Sequence, residues 1–176
     1  EKDLKKALGF GHRTFNDSDL LSIIAFVQEQ YKDGEGLENS FSKHLKPNDK
    51  TIENCLNGFR LAYESSEFFL SRTKKHLAYP LGGSACKRLN MYLRWMVRKD
   101  AAGVDFGIWK TIKMKQLICP LDVHVASVAN RFGLLDTKKT DWQAATLLTA
   151  KLRQFCSSDP VKYDYALFGL GIEERF

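Results

Sequence analysis

The chain of 176 residues carries 27 Lys and Arg against 21 Asp and Glu, a net charge of +6, with 44% apolar and 27% charged residues. That suits one soluble domain with a real hydrophobic core, and it excludes a disordered or fibrous chain. No apolar run is long enough to span a membrane, no signal peptide is recognisable, and Cys55, Cys86, Cys119 and Cys156 form no Cys-x-x-Cys pair. A zinc knuckle and a disulfide framework are therefore not expected, and the thiols read as buried and free in a reducing cytosol.

Asp17 or Ser18 is placed to cap a helix with Leu20, Ile23, Ile24, Val27 and Tyr31 at helical spacing, ending near Gly34. A short helix over residues 37–44 stops before Pro47. Asp49 or Thr51 starts another, with Ile52, Cys55, Leu56 and Phe59 on one face. Phe68, Phe69 and Leu70 then read as a core anchor ahead of residues 74–98, the stretch that organises the chain.

In that stretch two helical segments are expected on either side of a very short Gly82-Gly83 turn, where glycine permits positive φ and close backbone approach. The second segment, from Ser84, places Leu89, Tyr92, Leu93, Met96 and Val97 on one face and Lys87, Asn90, Arg94 and Arg98 on the other. Met91, Trp95 and Met96 read as core or hairpin packing. A glycine turn feeding a helix N-terminus aims free N–H groups outward and forms an anion site. Residues 71–99 hold eight Lys or Arg and no Asp or Glu, more than the whole chain's surplus. A solvated basic face is the plain alternative, and a phosphate backbone is the favoured partner.

Residues 99–118 are irregular, with Gly103, Gly107, Phe106 and Trp109. The two aromatics are candidates for a wedge into DNA and equally for core anchors. Pro120 and Asp122 open a helix with Val125, Val128 and Phe132 inward, closed by Gly133. A charged loop over residues 136–141 precedes a helix from Trp142 to about Phe155, and Asp159-Pro160 opens a last helix that runs to Gly169 or Gly171. Nothing alternates long enough to argue for a strand, so the chain is expected to be all-α and a single domain over residues 1–176. It opens on Glu1 rather than Met, and further residues are expected upstream.

Two segments carry a family resemblance. Leu81, Gly82, Gly83, Ser84, Ala85, Cys86, Lys87, Arg88, Leu89 and Asn90 resemble the Leu-Pro-Gly-Val-Gly-x-Lys-x-Ala-x hairpin of helix-hairpin-helix DNA glycosylases. Pro120, Leu121, Asp122, Val123, His124 and Val125, continuing through Arg131, Phe132 and Gly133, resemble the same superfamily's Val-Asp-Thr-His-Val segment. Residues 165–171 resemble its closing Ala-Leu-x-x-Leu-Gly element. Over most of the chain the pattern is similar to an uncharacterised bacterial family with glycosylase-like features, at residues 12–16, 84–98, 103–109 and 159–171.

The resemblance implies a two-lobed helix-hairpin-helix fold, with the hairpin at about residues 72–98 and the catalytic-aspartate helix at about 120–133. Lys87 falls on the lysine of the bifunctional members, such as endonuclease III and the 8-oxoguanine DNA glycosylases, and Asp122 on the superfamily's catalytic aspartate. Gly82, Gly83, Ser84, Ala85, Cys86, Arg88, Asn90, Arg94 and Arg98 form the implied DNA-binding set. His124 is a further candidate, with a structural role as the plainer reading. The implied partner is double-stranded DNA and the implied state a monomer in the bacterial cytoplasm, associated with the nucleoid. No metal is expected, and no cofactor beyond a monovalent cation at the hairpin. Gly82 replaces the usual proline, Ala85 the second hairpin glycine, and the 35 positions from Lys87 to Asp122 exceed the spacing in endonuclease III. The iron–sulfur cysteines of that enzyme are absent.

The chemistry is intelligible at these residue types. A lysine amine can attack the sugar C1′, expel a damaged base and leave a Schiff base that eliminates the 3′ phosphate. At an ordinary pKa only about 1 amine in 2,500 is neutral at pH 7, so activation by three pKa units needs about 4 kcal/mol. Arg88 and Arg94 are the neighbouring cations expected to supply it. Asp122 is expected both to cap its helix and to stabilise positive charge developing on the sugar. The rival readings are a DNA-binding module that keeps the fold without turnover, and an RNA-directed or partner-binding protein.

Overall fold

The structure is a computed structural model that describes residue 5 and residues 8–32, 34–100 and 103–173. Strands β1 (Gly11–His12) and β2 (Phe15–Asn16) pair antiparallel, Gly11 opposite Asn16 and His12 opposite Phe15. Seven α-helices of the described residues follow: α1 (Asp17–Glu29), α2 (Gly36–Ser42), α3 (Glu53–Glu64), α4 (Lys87–Val97), α5 (Val123–Arg131), α6 (Trp142–Phe155) and α7 (Asp164–Glu173). The class is all-α. The one ladder is two residues a side, too short to show as alternation in the sequence. No helix among the described residues is long and apolar enough to cross a membrane.

Side-chain caps set three of these helix starts. Asn16, one residue before the expected Asp17 or Ser18, caps α1 by a reciprocal box: its side chain accepts the Asp19 N–H, and its own N–H donates to the Asp19 carboxylate. Asp122 and Asp141 cap α5 and α6 by a single side-chain bond each, accepting from Val125 and Ala144 N–H at 2.9 Å. The first arm of the hairpin differs from expectation. In place of an α-helix there are two 3₁₀ turns, Ser71–His76 and Pro80–Gly82, separated by extended chain. Pro80 forces that break: it excludes helical geometry from Tyr79, which sits at φ −147°, ψ 155°.

A single core runs through the molecule. Phe41 of α2 stacks on Phe59 of α3 at 3.8 Å and 12°, and Phe26 of α1 meets Phe59 and Tyr63. Tyr92 of α4 and Trp109 close on the same group. Trp109 is therefore a core anchor and not a wedge, whereas Phe106 is 61% exposed. The irregular stretch after α4 is pinned to that helix, Phe106 and Trp109 N–H donating to Trp95 and Met96 carbonyls at 2.8 Å. At the far end α5 and α7 pack face to face, close enough that a Cβ on Gly171 would lie 2.9 Å from that of His124.

Candidate functional site

The hairpin turn is held from three sides before any functional atom is considered. Leu81 N–H donates to Asn57 Oδ1 at 3.0 Å, Trp142 N–H donates to the Gly83 carbonyl at 3.2 Å, and Ser84 bridges Asp141. Buried Asn90 reaches back with Nδ2 to the Ala85 carbonyl at 2.9 Å. The two glycines divide the work expected of both. Gly83 takes the left-handed backbone, φ 77°, while Gly82 lets the turn pass under Tyr79, whose ring a Cβ would meet at 2.9 Å. The second left-handed position is Cys86, φ 52°, directly before α4. A non-glycine residue there costs about 1–2 kcal/mol. Its N–H donates to Ser84 Oγ and its thiol, pushed by burial up to about 12, to the Ser84 carbonyl. Cys86 is therefore an inert part of the turn.

Lys87 is the first residue of α4 and Asp122 the N-cap of α5, and the fold brings them together. Lys87 Nζ donates to Asp122 Oδ2 at 2.5 Å while Asp122 Oδ1 accepts the Val125 N–H at 2.9 Å. One carboxylate thus performs the capping role and the pairing role with separate oxygens. Burial raises the Asp122 carboxyl, but the Lys87 ammonium and the Val125 N–H outweigh it and hold the group below the usual carboxylate range. The Lys87 side chain is 39% exposed, and its amine lies 5.0 Å from the centre of the Phe168 ring. Beside it is a cavity of about 70 Å³ lined by Lys87, Met91, Val125, Asp164, Tyr165 and Phe168 with Pro120.

Further along α4 the sequence reading is corrected. Arg94 and Arg98 are 1% and 7% exposed and turned inward. Arg94 donates to Asp164 at 2.5 Å and to Asp105 at 3.3 Å, with its guanidinium 3.7 Å over the Tyr165 ring. Arg98 donates to Asp105 at 2.6 Å, to Asp159 at 2.9 Å and to Asp100. A guanidinium enclosed by internal carboxylates cannot neutralise a phosphate, so Arg94 and Arg98 leave the DNA-binding set. Arg94 equally leaves the account of Lys87 activation, because Asp105 and Asp164 neutralise it. Asn90, Ala85 and the Cys86 side chain are buried as well and support the turn from within.

The basic surplus shrinks with them. Of the eight cations in residues 71–99, Arg72 pairs with Asp19, Lys74 with Glu64 and Lys87 with Asp122, beside the two buried arginines. Lys75, Arg88 and Lys99 are left exposed without a carboxylate partner among the described residues. The Cβ and backbone of His124 lie against Gly171 of α7, while the residue is exposed and its ring is edge-on to Phe168 at 6.4 Å. Among the described residues no three His, Cys, Asp or Glu side chains converge as a metal cage.

Sequence reasoning missed Asp105, Asp159 and Asp164, because their partners on α4 lie up to 70 residues away and no local pattern links them. Burial, against the pull of Arg94, raises the Asp164 carboxyl to about 6. Two carboxylates near one amine are thus pushed in opposite directions, Asp122 down and Asp164 up.

Fold and site together define an all-α domain with a lysine–aspartate pair mounted on a hairpin-fed helix. The chain belongs to the family described as protein of unknown function (DUF2400), whose model matches residues 1–173. No curated protein and no solved structure gives a significant match.

Proposed function

We propose that this protein is a helix-hairpin-helix DNA glycosylase with abasic-site lyase activity, in which Lys87 is the nucleophile and Asp122 its electrostatic partner. The contact of 2.5 Å between Lys87 and Asp122, 35 residues apart, carries the reading, because these are the two positions on which the motif resemblance placed the chemistry. In the resting contact the amine's protons are engaged by Asp122. Attack on C1′ requires the ammonium to pass a proton to solvent and turn its lone pair to the sugar. The glycosidic C1′–N bond breaks as the C1′–Nζ bond forms and the base leaves with the electron pair, whereupon Asp122 faces the positive charge that builds on the sugar. At the start of α4, which has no side-chain cap, Ser84 and exposed Arg88 support phosphate binding, while the Gly83 N–H is taken by the Pro80 carbonyl at 2.7 Å.

One observation favours the rival of a DNA-binding module without turnover: Arg94, one of the two cations expected to activate the Lys87 amine, is neutralised by Asp105 and Asp164. Borohydride trapping on a duplex with an abasic site separates the two. A covalent protein–DNA adduct that Lys87→Ala abolishes, with duplex binding retained, is the expected result. Tight binding by the wild type with no adduct would remove the lysine mechanism and leave the binding module. Asp122→Asn should slow base excision on a damaged-base panel while sparing part of the lyase step, because charge on the sugar peaks in the first bond cleavage.

A further inference from the structure

A larger cleft, of about 630 Å³, opens beside the first turn of α4 and shares only Lys87 with the lining of the 70 Å³ cavity. One wall is aromatic. Phe15 of β2 meets His76 edge-on at 4.8 Å, and Phe10, 43% exposed, meets Phe15 edge-on at 6.0 Å. The opposite wall is Ser84, Cys86, Arg88 and Leu89 from the turn and α4.

The aromatic wall is fixed from behind. His76 Nε2 lies 3.5 Å from the carboxylate of Asp19, which is fully buried, paired with Arg72 at 3.0 Å and bonded by the Asn16 N–H at 3.1 Å. The capping box of α1 thus also orients a ring of the cleft. The other wall is cationic. Arg88 is among the few hairpin cations with no carboxylate partner, and its Nη2 lies 3.5 Å from the His76 carbonyl at the cleft edge. Among the described residues no carboxylate lines the cleft, which disfavours a cationic ligand, and its volume is that of a small-molecule site.

We propose that this cleft binds one nucleoside phosphate unit, with the base among Phe10, Phe15 and His76 and the phosphate at Arg88 and Ser84. Aromatic rings take any base, because every base offers a π face, and a guanidinium beside a hydroxyl suits a phosphate. The choice of a nucleotide rests on the nucleic-acid reading above, whereas the cleft does not depend on lysine chemistry. The unit is either a free mononucleotide or a nucleotide turned out of a DNA strand.

The test titrates the intact chain with dTMP, with thymidine and with inorganic phosphate, following backbone amide signals by NMR. dTMP should move signals on both walls, residues 10–16 and 84–89, and both fragments should bind at least about tenfold more weakly. Phe15→Leu, which keeps an apolar side chain, and Arg88→Ala, on an exposed position, should each weaken dTMP binding about tenfold. A duplex with one bulged 2-aminopurine identifies the source: quenching that Phe15→Leu relieves marks a nucleotide held within DNA, and its absence beside dTMP binding marks the free mononucleotide. No response of residues 10–16 to millimolar dTMP, together with no Phe15-dependent quenching, overturns the proposal. So does a dTMP response no stronger than that to phosphate alone. A cleft that binds dTMP in a protein that traps no abasic duplex keeps this site and loses the lysine mechanism. Trapping without cleft binding does the reverse.

Discussion

At the start of α4, Lys87 meets a single carboxylate and stays 39% exposed, whereas towards its end Arg94 and Arg98 are buried among Asp100, Asp105, Asp159 and Asp164. Lys87 and Arg94 of this helix and Arg98 at its C-cap share the face that the sequence pattern sets opposite the apolar one. What separates them is the chain that returns to cover the helix. The stretch after α4 and the segment leading into α7 close over its last turns, while its first turn emerges beside the glycine turn. The difference teaches that a basic face in a sequence counts cations without locating their counter-ions. One end is built for a reversible contact and the other for a permanent one.

The largest expected effect breaks the buried end. Arg94→Ala strands Asp164 without its guanidinium and leaves Asp105 to Arg98 alone, and loss of one partner from a buried pair typically costs about 3–5 kcal/mol. Asp122→Asn at the exposed end should cost less than about 1 kcal/mol, because asparagine still caps α5 and a part-exposed ion pair is screened. Urea unfolding of both variants measures the contrast, and similar losses would dissolve it.

Much of this contrast lay outside the reach of sequence reasoning. α6 was legible at both ends, because Asp141 caps it and its apolar spacing is regular. The Asp122 cap and its helix were legible for the same reason, and the motif resemblance marked Lys87 and Asp122 but not the contact between them. The buried arginines were not, because residues 71–99 contain no acid and the neutralising aspartates lie beyond that window. The first hairpin arm was misread as α-helix where Pro80 dictates extended chain. The aromatic cleft was invisible because Phe10, Phe15 and His76 come from separate segments that only the fold assembles.

A somewhat smaller effect tests how Asp122 is seated. Gly171→Ala would thrust a methyl into the His124 backbone, 3.0 Å from its carbonyl oxygen, and overpacking of this kind typically costs about 1–3 kcal/mol. Thermal unfolding should register the loss, and trapping on an abasic duplex should fall with it if α5 shifts relative to α4. Unchanged stability would mean that the two helices separate freely.

The pH dependence should also differ at the two carboxylates. The folded Asp164 carboxyl, at about 6, lies above its ordinary value of 3.8, so its ionisation opposes folding. Wild type should therefore lose stability relative to Asp164→Asn as pH rises from about 4 through about 6, and the gap should be level above that window. Asp122 has the opposite sign: its contribution is present above the ordinary carboxylate range and is lost as pH falls through its lowered folded value. Melting curves at several pH values check both, and a wild type that gains stability relative to Asp164→Asn as pH rises through that window would contradict the assignment.

The smallest effect concerns phosphate contacts. Arg88→Ala should reduce the log–log slope of duplex affinity against salt by about 0.9, the value for one phosphate contact on B-DNA. Arg98→Lys should leave the slope unchanged, because that side chain is bound to internal aspartates. Filter binding over a salt series measures both, and a reduced slope for Arg98→Lys would mean that this guanidinium reaches DNA after all.

The central claim, that the exposed end of α4 is the reacting end, is tested most directly by locating the covalent bond. Wild-type protein is mixed with an abasic duplex, reduced with borohydride and digested, and the adduct is mapped by mass spectrometry. The account predicts the sugar remnant on Lys87, with Asp122→Asn forming the same adduct and Lys87→Ala none. An adduct on a different amine, or none while duplex binding is intact, would contradict it.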